Sequence, residues 1–164
     1  MTALQNANRH ATAIVLGSTG ILICGPSGAG KSELALALLH AARRDGLFSA
    51  LVSDDQVLIS SAGGRVIAAA PPAIAGLIEI RGSGLAPVPH LDCAVMDFAL
   101  TPVSAENAVR LPPFESRFDL GAGIFLPQAF LRWPAPDPLS KLLALCPGLE
   151  TGRPARPSPA GKDP

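Results

Sequence analysis

Gly25-Pro26-Ser27-Gly28-Ala29-Gly30-Lys31-Ser32 is the stretch on which the reading of this chain turns. Two glycines at a fixed separation, then Lys and Ser, make the phosphate-binding loop pattern. An apolar run, Ile21-Leu22-Ile23-Cys24, precedes it, and a helix-like stretch, Glu33 to Arg44, follows. The loop therefore joins a strand to a helix, which is the context its mechanism needs. The glycines let successive backbone N–H groups turn inward around phosphate oxygens, and the helix N-terminus adds the positive end of its dipole. The whole octapeptide, Gly25, Pro26, Ser27, Gly28, Ala29, Gly30, Lys31 and Ser32, is expected to cradle the phosphates. Lys31 would reach the outer phosphates, and the Ser32 hydroxyl would hold Mg²⁺.

Working outward, Ala13 to Leu16 and Ile21 to Cys24 read as a β-hairpin closed by a four-residue loop, Gly17 to Gly20. The helix carries Leu34, Leu38 and Ala41 beside Ala35, Leu39 and Ala42, spacing that gives one apolar face. Asp45-Gly46 ends it, with Gly46 as the left-handed cap. Leu47 to Val52 reads as a buried strand closed by Ser53-Asp54-Asp55. Strand, helix and strand make a right-handed crossover, so the two strands run parallel and their C-terminal ends share one edge of the sheet. That edge is where open α/β sheets keep their ligands, so Asp54 and Asp55 fall beside the phosphate loop. Beyond them come a second hairpin, 56–69 with its turn at Gly63-Gly64, and an extended segment to Ile80 with a loop at Arg81 to Gly84. A single strand is expected over Leu91 to Leu100, and a helix around Leu139 to Leu145. The expected division is a catalytic domain over 1–146 and a proline-rich, disordered tail over 147–164.

The 164 residues suit one domain, and 13 basic against 13 acidic side chains leave no electrostatic footprint for nucleic acid or an anionic membrane. No apolar run approaches the ~20 residues that span a bilayer. The first ten residues lack the order of a signal peptide. Cys24, Cys93 and Cys146 are scattered in apolar contexts without metal-ligand spacing, which fits three buried, reduced thiols in a cytoplasmic protein.

Two further constellations can carry chemistry. A carboxylate at a strand end beside a phosphate loop holds Mg²⁺ directly or through water. With two in a row, one can face the metal and the other a bound hydroxyl. Glu79 and Arg81 stand two apart on an extended segment, hence on one face. There Glu79 would complete a metal shell and Arg81 would neutralise a transferring phosphoryl group. His10, His40 and His90 have nothing in their own neighbourhoods that assigns them a role.

The phosphate loop with its Lys-Ser-Glu, the Ser-Asp-Asp-Gln-Val stretch, Ala-Ala-Pro-Pro and Leu-Ile-Glu-Ile-Arg-Gly-Ser-Gly-Leu, in that order from about His10 to Leu85, resemble the catalytic domain of the HPr kinase/phosphorylase family. The resemblance implies a P-loop-containing mixed α/β fold with flanking hairpins and helices, akin to phosphoenolpyruvate carboxykinase. It also implies an ATP- and Mg²⁺-dependent kinase that phosphorylates a serine of the phosphocarrier HPr, assembled as a homo-oligomer. Residue by residue, it implies Lys31 on the phosphates, Ser32 and Glu79 on Mg²⁺ and Asp55 as the base toward the target serine. Asp54 stands beside that base, His10 lies near the acid pair, and Arg81 belongs to a loop shared by forward and reverse reactions. The chain resembles a short form without the family's N-terminal domain, and Ser83 stands where the family's loop has a bulky aliphatic residue. The Val-Pro-Val-x-Pro-Gly-Arg-Asn stretch tied to phosphorolysis has no counterpart. For the family's later arginine, Arg110 and Arg117 are the candidates. Two alternatives stay open, a nucleotide-binding sensor with little turnover and a P-loop kinase of a small metabolite.

Overall fold

The computed structural model describes residues 7–113, 115–151 and 157. Its centre is a six-stranded sheet that owes its order to the hairpin before the phosphate loop. Strands β2 (Ala11–Leu16) and β3 (Thr19–Cys24) pair antiparallel, Leu16 opposite Thr19. The hairpin loop is thus two residues, Gly17-Ser18, and not the four expected. Gly17 at φ 60° supplies the positive first angle that tight hairpin turns need, and Thr19 and Gly20 already belong to β3.

Helix α1 (Lys31–Arg44) follows the loop and buries Leu34, Ala35, Leu38, Leu39, Ala41 and Ala42, the face read from the spacing. Gly46, at φ 81°, turns the chain back, and its N–H donates to the Arg43 carbonyl. Strand β4 (Ser49–Ser53) comes next. It runs parallel to β3 as the crossover requires, but pairs antiparallel with β2, which lies between them. The β2–β4 ladder contains one irregularity: Ile14 opposes Leu51 and Ala13 opposes Ser53, which leaves Val52 as an extra residue on β4.

A second sheet covers one face of the first. It contains β1 (Ala7–Arg9), β5 (Val57–Ala62), β6 (Arg65–Ala69) and β9 (Cys93–Met96), in the order β1-β5-β6-β9. Between β6 and β9, strands β7 (Leu77–Ile80) and β8 (Gly84–Pro87) form a separate hairpin across the Arg81 turn. The strand expected over 91–100 is two strands in two sheets. After β9 the chain bends at Asp97 and enters the central sheet as β10 (Phe98–Val103). The Asp97 carboxylate accepts from the Gly20 N–H at 2.9 Å. A Cβ on Gly20 would lie 1.8 Å from the Val95 carbonyl oxygen, so only glycine allows β9 to cross β3 this closely.

Strands β11 (Arg117–Asp119) and β12 (Phe125–Arg132) complete the central sheet, β12 parallel to β10 and β10 parallel to β3. Helix α2 (Pro138–Leu145) begins at Asp137, whose carboxylate accepts from the Ser140 N–H. The tail expected to be disordered from Pro147 opens instead with a 3-10 turn, Pro147–Thr151, because Leu149 finds a place in the core beside α2. Apart from Pro157, the rest of that tail lies outside the described residues.

β2 and β3 are buried at every position because both faces of the central sheet are covered. Alternation persists beneath that uniform burial. Ile14, Leu16, Ile21, Ile23 and Leu51 face the helices, whereas Ala13, Val15, Leu22, Cys24 and Val52 face the second sheet. Among the described residues, no helix is long and apolar enough to cross a membrane.

Candidate active site

One edge of the central sheet gathers the chemistry. β3, β10, β12 and β4 all end there, and antiparallel β2 begins there. The edge therefore carries the phosphate loop, the residues after β4 and the residues at the start of β2. The β7–β8 hairpin closes the side, pinned where the Glu79 N–H donates to the Asp54 carboxylate at 2.9 Å. The result is an open cleft of about 660 Å³, a volume that includes the solvent at its mouth. Its lining includes Ser27, Gly28, Gly30, Lys31 and Ser32 of the loop, together with His10, Thr12, Glu33, Asp55, Glu79 and Arg81.

The loop has the backbone its glycines imply, with Gly28 at φ 82° and Gly30 at φ 83° as the left-handed residue capping α1. Gly25 is tight for a different reason, since a Cβ there would come within 3.3 Å of the Ala29 Cβ. Lys31 is buried, 6% exposed, and its ammonium donates to the Gly25 and Pro26 carbonyls, each at 3.0 Å. Burial lowers its pKa, and the negative charge of Asp55 and, less, of Asp54 works the other way. An ammonium held by loop carbonyls over an anion cradle is placed to exchange those oxygens for phosphate oxygens.

The two aspartates face different surroundings. Asp54 is 4% exposed and accepts from the Ser32 hydroxyl at 2.7 Å, the Thr12 hydroxyl at 2.8 Å and the Glu79 N–H. Asp55 turns out of the strand at φ 65°, a left-handed angle that Asp tolerates better than most residues. Its carboxylate is half exposed and lies 2.8 Å from His10 Nδ1, which is also 3.1 Å from the Asp55 carbonyl oxygen. Both partners are acceptors, so Nδ1 carries the proton.

A hard divalent cation calls for oxygen donors, and Ser32, Asp54 and Glu79 offer only those. Among the described residues, no three His, Cys, Asp or Glu side chains converge on a metal position. One or two protein oxygens completed by phosphate oxygens is the way Mg²⁺ is usually held, so the donor set fits.

Of the residues expected from sequence, Ala29, Gly25, Pro26 and Asp54 stand behind the lining, and the others reach it. Arg110 and Arg117 do not line the cleft. Two lining residues carried no expectation of their own, Thr12 and Glu33. Thr12 had a signal, a hydroxyl buried in an otherwise apolar strand at the ligand-bearing edge.

Comparison with known proteins bears on this arrangement. A family model for the HPr serine kinase C-terminal domain matches residues 2–95. The HPr kinase/phosphorylase of Clostridium tetani is 40% identical over 82 residues, which is 50% of this chain and 25% of that protein. That of Clostridium beijerinckii is 36% identical over 102 residues, 62% of this chain and 30% of that protein. The matched portion therefore spans between a quarter and a third of those relatives. Among solved structures, the Hpr(Ser) kinase/phosphatase from Coxiella burnetii superposes with a TM-score of 0.69 at 26% identity, covering 84% of this chain and 93% of that one.

Proposed function

This chain belongs to the HPr serine kinase C-terminal domain family, and on that footing we propose that it transfers the γ-phosphoryl group of ATP to a serine hydroxyl of an HPr-type phosphocarrier protein. The observation that carries the reading is the pairing of a loop-anchored, buried carboxylate with an exposed one directly after it, across the cleft from the anion cradle.

Within this mechanism the loop amides and Lys31 hold the triphosphate, and Asp54 orients the Ser32 hydroxyl and the backbone of Glu79. Asp55 accepts the proton of the serine hydroxyl as its oxygen attacks phosphorus in line, and the bond to the leaving ADP oxygen breaks. His10 Nδ1–H holds the Asp55 carboxylate in that attitude. Arg81, exposed at the hairpin turn, offers positive charge to the transferring group. Ser32 and Glu79, with Asp54 behind them, would hold Mg²⁺, which would supply neutralising charge to the phosphates. The same groups suit a related transfer in the opposite sense, with inorganic phosphate in the place of ADP: its oxygen attacks the phosphoserine phosphorus, the bond to the serine oxygen breaks, protonated Asp55 returns the proton to that oxygen, and pyrophosphate leaves.

The test is incubation of the full chain with labelled ATP, Mg²⁺ and purified carrier protein. Label on a carrier serine, lost in Lys31→Ala and Asp55→Asn, is the expected result. Tight ATP binding without labelled carrier would favour a nucleotide sensor, and label on a metabolite a small-molecule kinase. Pyrophosphate released from phosphorylated carrier and inorganic phosphate reads the reverse reaction.

A further inference from the structure

The chain's single tryptophan, Trp133, sits where the phosphate loop meets the rest of the sheet edge. It follows β12 directly, and its N–H donates to the Val103 carbonyl at the end of β10, at 2.8 Å. Its side chain is half-buried against the helix-side core. The pyrrole edge of its indole lies against the loop: a Cβ built on Gly30 would come 2.7 Å from Trp133 Nε1 and 2.9 Å from Cδ1. Gly30 lines the cleft, so Trp133, itself outside that lining, borders it through the loop.

Its side of the rim follows from the strand order β11-β12-β10-β3-β2-β4. The loop leaves from β3. The acids follow β4, two strands to one side, and Trp133 follows β12, two strands to the other. A polyphosphate in the loop has its reacting end toward Lys31, Asp54 and Asp55. Laid along the sheet edge with that end toward the acids, it would carry its nucleoside end on the β10 and β12 side. A partly buried indole there offers a flat ring to a flat heterocycle. A glycine beside it lets the two approach without an intervening side chain.

We propose that Trp133 is the stacking platform for the base of the bound nucleotide, so that the phosphates are read on the acid side of the loop and the nucleobase on the β12 side. This deepens the ATP-binding reading above and rests on it. Every base has a π face, so the platform contributes affinity for nucleotides over bare polyphosphate, with little choice among bases.

The experiment is calorimetric titration of the full chain with ATP·Mg²⁺ and separately with inorganic tripolyphosphate·Mg²⁺, for the wild type, Trp133→Ala and Trp133→Phe. Trp133→Ala is expected to weaken ATP about tenfold and to leave tripolyphosphate unchanged. Trp133→Phe, which keeps a ring, should hold ATP within about threefold of the wild type. Equal weakening of both ligands in Trp133→Ala would show that the indole only props the loop and would overturn the proposal, as would unchanged ATP affinity. Should the alanine variant fail to fold, the adenine H2 and H8 resonances of ATP decide the matter on the wild type. An upfield ring-current shift on binding supports stacking, and its absence with ATP bound refutes it. A wild type that binds neither ligand overturns the nucleotide reading itself, and the platform with it. Tripolyphosphate binding without any gain from the nucleoside sinks only the platform.

Discussion

The floor and the rim of the cleft are built on opposite terms. In the floor Thr12, Lys31 and Asp54 are withdrawn from solvent and Ser32 is half-buried, and their hydroxyls, ammonium and carboxylate are bonded to one another or to loop carbonyls. Among the described residues, no buried side-chain polar atom lacks a partner. The rim, His10, Asp55, Glu79 and Arg81, is exposed and comes from the start of β2, the end of β4 and the β7–β8 hairpin. A buried polar network is costly to unpair, so it keeps one shape. Hydrated groups exchange partners at little cost, and a macromolecular substrate has to meet groups of that kind.

Substitutions in neighbouring acids break this contrast most directly. Asp55→Asn keeps the side chain's shape and tolerates the left-handed angle, so stability should stay within about 0.5 kcal/mol of the wild type by thermal melting. Phosphoryl transfer to the carrier should fall about 10²–10⁴-fold in a single-turnover assay. Equal effects on melting and on turnover would erase the distinction between floor and rim. Asp54→Ala should do the reverse of its neighbour to the fold. It strands the Thr12 and Ser32 hydroxyls and the Glu79 N–H, at a cost of about 3 kcal/mol by denaturant titration. Gly30→Ala sits at the junction of loop and Trp133. The left-handed angle alone costs about 1 kcal/mol, and displacing the indole adds to it, so both the melting temperature and the ATP affinity should drop.

The smallest effect reads how dry the floor is. Burial pushes the Cys24 thiol, at the end of β3 beneath the loop, up to about 12, and Cys146 in the helix-side core likewise to about 12. Both stay protonated in the fold while the unfolded chain ionises near the ordinary thiol value of 9.0, so the unfolded state holds fewer protons between pH 9 and 12. Native stability therefore falls as pH rises through that window. Cys24→Ala should flatten the slope. Cys93 is exposed on β9, at the end of the second sheet, and not buried as its apolar context led us to expect; at neutral pH a thiol reagent should label it in the native protein and all three cysteines only after denaturation.

What the sequence made legible was local. The phosphate loop, α1 with its Gly46 stop, the Gly63-Gly64 hairpin and the common direction of β3 and β4 each depend on residues within a few positions or on one handedness rule. The insertion of β2 between β3 and β4 depends on pairing that no periodicity reports. The same insertion carries His10 to the cleft, a residue that family resemblance alone had singled out. β8 and β12 were hidden by Pro87 and Pro127, residues that ordinarily argue against strands. β9 and β10 merged into one run because Asp97, where the chain changes sheets, makes its partners at Gly20, far away in sequence. Trp133 was invisible as a neighbour of Gly30 for the same reason.

The extra residue on β4 has a consequence of parity. With Val52 unmatched, the register beyond it carries Asp54 across from Thr12, on the α1 face. An unbroken ladder from Ile14–Leu51 would set Ser53 across from Thr12 and turn Asp54 to the opposite face, away from the serine it anchors. Which of two identical letters does the inward job is thus decided by odd or even counting along one strand.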